Sequence, residues 1–158
     1  MIKIEDEIRN RIKTLEISSP SFLREGFIPR KFTCDGENIN PEIHVDKIPD
    51  GAKSLVIIMD DPDAPVTAWT HWLVWSVFPK SIINENYKQG ITGKNDFGTR
   101  KYSGPCPPYG LHKYHFRIYA LNDLPILKPD ISRVELQESI SSSVIAYGEL
   151  IGKYKREK

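Results

Sequence analysis

Residues 55–59 (LVIIM) are five consecutive apolar residues that run directly into the acidic stretch DDPDAP, residues 60–65. A short apolar run of this kind indicates a strand that is buried on both faces. Carboxylates next to such a strand are costly unless they are paired or hydrogen-bonded. The chain must therefore place this strand at its centre and provide defined partners for the acids that follow it.

The other periodic segments predict a mostly β protein: a large antiparallel sheet packed on smaller strands, with one or two short helices. Strands are predicted at residues 15–17, 53–59, 69–78, 112–121 and 144–154. In the third of these, strict alternation puts Trp69, His71, Leu73, Trp75 and Val77 on one face. Because both faces are largely apolar, this strand is also predicted to be central.

Two helices are predicted. Ser132 and Glu135 form the pattern of a capping box, which opens a helix that extends to about Ser142. Isoleucines at every fourth position predict a helical extension over residues 1–13. The length favours a single domain over residues 1–158.

The bulk properties exclude several classes of function. The net charge is +1, which gives no electrostatic footprint for nucleic acid. The chain has no apolar run of 18 residues that could span a membrane. Its start is too acidic for a secretory signal, so we expect a cytoplasmic protein. We expect no cofactor.

The acids Asp60, Asp61 and Asp63 have three interpretations. Carboxylates suit a hard cation, but the ligand spacing of an EF-hand is absent, so no metal site is predicted. They could instead form a strand-end turn in which the carboxylates accept hydrogen bonds from backbone N–H groups. The third interpretation is a polar pocket where an aspartate meets a histidine.

The histidines argue against zinc. His112 and His115 are three residues apart, which on a strand puts their side chains on opposite faces. His71 lies in an apolar strand, where a histidine is more often a hydrogen-bonded core residue than a functional one.

Nucleophilic catalysis has little support in the sequence. Cys106 lies among Pro105, Pro107 and Pro108, and these prolines lack the backbone N–H groups that an oxyanion hole needs. No nucleophile-elbow motif is present.

Three segments resemble the signature regions of the phosphatidylethanolamine-binding protein family, also called the Raf kinase inhibitor protein family. They are DPDAP (61–65), WTHWLVW (69–75) and GPCPPYGLHKYHFRIYAL (104–121). Two further segments, FTCDGENINPEI (32–43) and IPDGAKSL (48–55), are similar to its bacterial and archaeal branch. The resemblance covers residues 15–154.

The resemblance implies a small anion-binding pocket at one end of the large sheet. The residues that match its motifs are Asp61, Asp63, Pro65, Trp69, His71, Gly104, Pro105, Pro107, His112 and Tyr114. An aspartate beside His71 or His112 should favour an imidazolium, which can donate hydrogen bonds to phosphate oxygens together with the Tyr114 hydroxyl. The expected ligand is a phosphomonoester or a head group such as phosphoethanolamine.

Three function classes remain open. The first is a non-enzymatic binding protein for a small anionic or phosphorylated ligand, which could also regulate a protein partner. The second is a protease or kinase inhibitor, for which residues 79–103 are the candidate loop. The third is an enzyme that uses His71 and Asp61 as acid and base. A homodimer is also open.

Cys34 and Cys106 are the only cysteines. They are either two separate buried thiols, as is usual in the cytosol, or a disulfide that tethers the Cys106 loop to the pocket. Each lies in an irregular segment that would gain from a tether, and the sequence leaves both alternatives open.

Overall fold

The computed structural model describes residues 12–157 and is mostly β, as predicted. The strands are β1 (Lys13–Thr14), β2 (Glu16–Ser18), β3 (Ile43–Asp46), β4 (Ser54–Asp61), β5 (Trp69–Val77), β6 (Ile82–Ile83), β7 (Ile91–Thr92), β8 (His112–Leu121) and β9 (Val144–Tyr154). One α-helix, α1 (Arg133–Ile140), and a 3-10 turn at Arg30–Phe32 complete the described elements.

Two sheets form the framework. The large sheet has the order β1-β9-β8-β4-β5-β7, and the small sheet has the order β2-β3-β6. All pairs are antiparallel except β1 with β9, which is parallel. β4 lies inside the large sheet between β5 and β8, which explains why its sequence is apolar on both faces.

Each face of β4 contributes to a different core. Leu55, Ile57 and Met59 belong to the main core, which also contains residues of the small sheet. Val56 and Ile58 belong to a second core beneath α1. All five side chains are fully buried, and each contributes roughly 1.5–3 kcal/mol of transfer free energy.

The strict alternation predicted for β5 is wrong, because the strand contains two irregularities. The register against β4 shifts between Met59 and Asp60 and again between Leu55 and Ile57. The second shift coincides with Ser76, whose φ is 54°. Such bulges change the face of the residues that follow them. Val77 therefore joins the main core, while Leu73 and Trp75 join the second core.

The bounds of the helices differ in part from the prediction. The capping box is present, with Glu135 N–H donating to Ser132 Oγ at 3.1 Å, but α1 ends at Ile140 rather than near Ser142. The predicted N-terminal helix is wrong at Lys13, which is in β1, because its backbone pairs with Ala146 of β9. Residues 1–11 of that prediction lie outside the described part. No helix within residues 12–157 is long and apolar enough to cross a bilayer.

Candidate functional site

The end of β4 and the start of β8 bring Asp61 and His112 together. The Nδ1 atom of His112 lies 2.6 Å from Oδ2 of Asp61. Because a carboxylate can only accept, Nδ1 carries the proton and donates. The side chains are 10% and 6% exposed, so the pair is almost removed from solvent. Of the three acids, Asp61 is therefore the one that meets a histidine.

Tyr114 packs between the two histidines that match the family motifs. Its ring centroid lies 5.3 Å from that of His71 in an edge-on arrangement and 6.4 Å from that of His112 in a stacked one. The Tyr114 hydroxyl is buried, and its proton has no acceptor among the described residues, while the backbone N–H of Cys106 faces its oxygen. Burial, and then the charge of Asp61, raise the pKa of Tyr114, so the hydroxyl keeps its proton as a donor.

The first irregularity in β5 accounts for the position of His71. Thr70 pairs with Asp60 and Trp72 pairs with Met59, so His71 is the extra residue between two consecutive pairs. An extra residue of this kind re-aims a side chain. The side chain of His71 consequently contacts Tyr114 of the main core, whereas the side chain of Leu73 lies in the second core.

The expectation of an imidazolium beside an aspartate was made for His71 or His112, and it does not hold for His71. Burial lowers the pKa of His71, and the carbonyl of Ser103 and the charge of Asp61 offset this effect only in part. Nδ1 of His71 donates to the Ser103 carbonyl oxygen at 2.6 Å. At neutral pH His71 is therefore a neutral ring with its proton on Nδ1.

Asp63 and Pro65 lie at the exposed rim, next to the cluster rather than inside it. The N–H of Asp63 donates to Oδ1 of Asp61 at 2.9 Å, and Oδ2 of Asp63 accepts from the N–H of Lys113 at 2.9 Å. The turn interpretation of the acids thus also holds. Trp69 is half-buried, and its ring packs edge-on against Phe97 at 5.6 Å.

Asp60, the first acid of the stretch, lies on the opposite face of the sheet. It is 2% exposed and accepts from Nε of Arg117 at 3.0 Å and from a second guanidinium nitrogen at 3.2 Å. Arg117 also donates to Glu149 at 3.0 Å. This network gives Asp60 the partner that a buried carboxylate requires.

The loop that contains Gly104, Pro105 and Pro107 is buried and is tied to the Cys34 segment. Cys34 and Cys106 form a disulfide with Cα atoms 5.4 Å apart, and Cys34 N–H donates to the Pro105 carbonyl oxygen at 3.1 Å. A Cβ on Gly104 would come within 2.1 Å of the Phe32 carbonyl oxygen, so no larger residue fits there without movement of the backbone.

Sequence reasoning missed two asparagines that hold the loops of the site. Oδ1 of Asn38 accepts from the N–H of Gly104 at 2.7 Å. Asn95 is 3% exposed and bonds to five residues of its own loop and of β5. The sequence NDFG after Lys94 is a turn signal, but its long-range partners cannot be inferred from spacing.

A groove of about 1140 Å³ lies beside the cluster and is lined by residues 27, 28, 30, 35, 108–110 and 154–157. It adjoins His112 because Tyr154 is the register partner of His112. Of its arginines, Arg156 pairs with the Asp35 carboxylate, whereas Arg30 donates from Nε to the Asp35 backbone carbonyl oxygen. The groove contains none of the residues that the family motifs single out as ligand-binding.

Comparisons with known proteins agree with the fold and the motifs. The family model described as phosphatidylethanolamine-binding protein matches residues 18–155. A UPF0098 protein of Pyrococcus horikoshii is 47% identical over 155 residues, which cover 91% of this chain and 78% of that protein. A UPF0098 protein of Archaeoglobus fulgidus is 44% identical; the match covers 96% of this chain and 55% of that protein.

Solved structures give the same result. A phosphatidylethanolamine-binding protein homologue from Chlamydia trachomatis is similar with a TM-score of 0.87 and 32% identity, over 92% of this chain and 99% of that chain. E. coli YbcL is similar with a TM-score of 0.82 over 90% of this chain and 99% of that chain; at 24% identity this likeness concerns the fold alone.

Proposed function

The chain belongs to the phosphatidylethanolamine-binding protein family, and we propose that it is a non-enzymatic protein that binds a small anionic or phosphorylated ligand. The ligand would lie against Asp61, His71, His112 and Tyr114, which we call the site cluster. Phosphate, phosphomonoesters and phosphoethanolamine are the ligand chemistries that this cluster suits.

The observation that carries the proposal is the unpaired hydroxyl of Tyr114. It is buried, and its proton has no acceptor in residues 12–157, although the backbone N–H of Cys106 faces its oxygen. Leaving a buried donor unpaired costs about 1–3 kcal/mol. A phosphate oxygen next to Tyr114 would remove that cost by accepting from the hydroxyl.

The chemistry of the cluster supports binding rather than turnover. The sulfur of Cys106 is in a disulfide and cannot act as a thiolate. The proposed location is the cytoplasm. Disulfides are rare in the cytosol of mesophiles, but they are common in the intracellular proteins of hyperthermophiles.

Inhibition of a protease or kinase is the weaker alternative. The candidate loop, residues 79–103, contributes β6 to the small sheet and β7 to the large sheet. It is fixed further by the buried side chain of Asn95. A segment held at several points does not have the form of a projecting inhibitory loop.

Thermal unfolding with inorganic phosphate and with phosphoethanolamine tests the proposal. A ligand that binds the native state at about 100 times its Kd raises the free energy of unfolding by about 2.7 kcal/mol. The matched variant is Tyr114→Phe, which removes only the unpaired hydroxyl and should not destabilise the unliganded protein. We expect the wild type to be stabilised by phosphate and Tyr114→Phe to respond less.

Two results would count against the proposal. An equal phosphate response in Tyr114→Phe would remove the hydroxyl from the binding site. If phosphoethanolamine is hydrolysed during the incubation, as measured by the release of phosphate, the protein is an enzyme and not a binding protein.

A further inference from the structure

The hydrogen bonds of His71 determine which kind of anion can bind against its ring. Nδ1 donates to the Ser103 carbonyl oxygen at 2.6 Å, so the single proton of a neutral ring is on Nδ1. In a neutral imidazole that is protonated on Nδ1, the other nitrogen carries a lone pair and can only accept. The ring therefore offers an acceptor to whatever occupies the site cluster.

Neutrality of the ring follows from its surroundings. His71 is 3% exposed and is packed between the rings of Tyr114 and Phe97, each at 5.3 Å. Burial lowers its pKa more than the nearby carbonyl groups and the charge of Asp61 raise it. Asp61, the carboxylate whose charge acts most on His71, is already engaged with His112.

Asn95 holds the segment that carries the Ser103 carbonyl group, and this carbonyl determines that the proton of His71 is on Nδ1. Its Nδ2 donates to the Lys101 carbonyl oxygen at 2.8 Å and to Oγ of Ser103 at 3.2 Å. Its Oδ1 accepts from the N–H of Phe97 at 3.0 Å and from that of Thr99 at 3.1 Å. The N–H of Ser103 in turn donates to the His71 carbonyl oxygen at 3.2 Å.

We propose that the site cluster selects oxyanions that carry a proton, because His71 presents Nε2 as an acceptor, and that Asn95 is the positioning residue that holds His71 in this tautomer. A monohydrogen or dihydrogen phosphate group supplies the required O–H donor. Sulfate is similar in shape but has no proton near neutral pH, so its oxygen would face the lone pair of Nε2. This inference rests on the proposed function, since it concerns the same site.

The selectivity is measured by titration calorimetry with phosphate and sulfate on the wild-type protein at neutral pH. Sulfate then carries more negative charge than phosphate, so a site that responds to charge alone binds sulfate more tightly. We expect the opposite order, with phosphate at least about tenfold tighter, since an unpaired buried acceptor is costly. Sulfate binding as tight as phosphate binding overturns the inference.

Asn95→Asp tests the positioning residue. It keeps an acceptor for Phe97 and Thr99 and replaces the donor to Lys101 and Ser103 by an oxygen. Asn40→Asp is the matched control: Asn40 is a buried asparagine, 2% exposed, whose Nδ2 donates to the Pro41 and Asn84 carbonyl oxygens. We expect the preference for phosphate to fall to about threefold or less in Asn95→Asp and to persist in Asn40→Asp.

The protonation of the two ring nitrogens of His71 can be measured in the absence of a ligand. Nitrogen-15 NMR of the wild type, with His71→Asn for assignment, should show the tautomer protonated on Nδ1 at neutral pH. An imidazolium, or a proton on Nε2, overturns the inference even if phosphate binds. If neither anion binds the wild type, the proposed function fails together with the selectivity, whereas equal binding of both anions contradicts only the inference.

Discussion

Asp61 and His112 are 51 residues apart in the sequence, yet Oδ2 of Asp61 lies 2.6 Å from Nδ1 of His112 at one end of the large sheet. β4 ends at Asp61 and β8 begins at His112. Because the two strands are antiparallel neighbours, the end of one lies beside the start of the other. The sheet itself therefore gives this acid its partner.

Asp61→Asn should destabilise the protein by about 1–3 kcal/mol, because the amide has a single acceptor oxygen where the carboxylate serves both His112 and the N–H of Asp63. Asp63→Asn is the control: Asp63 is exposed, and an amide oxygen can still accept from Lys113. Urea unfolding should show a cost below about 0.5 kcal/mol for the control. Equal costs would show that the Asp61–His112 pair does not stabilise the fold.

The low pKa of His71 predicts how stability depends on pH. The unfolded state binds a proton near the ordinary value of 6.5, whereas the folded state resists protonation. This contribution to stability is present above the unfolded pKa and is lost as pH falls below it, with a slope of up to about 1.4 kcal/mol per pH unit.

The measurement compares the wild type with His71→Asn, which keeps a donor to Ser103 but does not titrate. The free energy of unfolding of the wild type should fall relative to that of the variant as the solution becomes acidic. A difference that is independent of pH would mean that His71 titrates alike in both states.

The disulfide predicts a loss of stability on reduction. Cys34 and Cys106 are 72 residues apart, and closing a loop of that length stabilises by about 4 kcal/mol in the chain-entropy model. Urea unfolding of Cys34→Ser/Cys106→Ser should show a decrease of up to that size, and phosphate should bind the variant more weakly because the Cys106 loop borders Tyr114. Unchanged phosphate affinity would leave the disulfide with a purely structural role.

Arg117→Met should destabilise by about 3–5 kcal/mol, because it leaves the buried carboxylate of Asp60 without its charged partner. Adding Asp60→Asn should recover much of that loss, since the unpaired charge is then gone. Arg24→Met is the control at an exposed arginine, which donates to the Glu149 carbonyl oxygen. A double variant no more stable than Arg117→Met would contradict the assignment.

The hydrophobic pattern predicted the strands well, because this pattern reflects which side chains are buried. β8 and β9 were predicted with the bounds that the structure has, and both alternate regularly. β5 was predicted as a strand, but the faces of His71 and Val77 were predicted wrongly, because an irregular register depends on how the neighbouring strand pairs. The pattern carries no signal for such a local shift.

The site was only partly accessible to sequence reasoning. The motifs marked Asp61, His71, His112 and Tyr114, which the structure brings together. The neutral state of His71 could not be foreseen, because it depends on burial by residues that are distant in the chain. Asn95 was missed for the same reason: its bonds to His71 and Ser103 depend on how the loop folds back on β5.

The most direct test is a phosphate titration followed by NMR of the histidine rings and of the backbone amides. We expect saturable shifts at His71 and His112, with smaller or no shifts at His44, which lies on β3 of the small sheet. Saturable shifts confined to residues of the neighbouring groove, such as Arg30 and Arg156, with the rings of His71 and His112 unchanged, would contradict it.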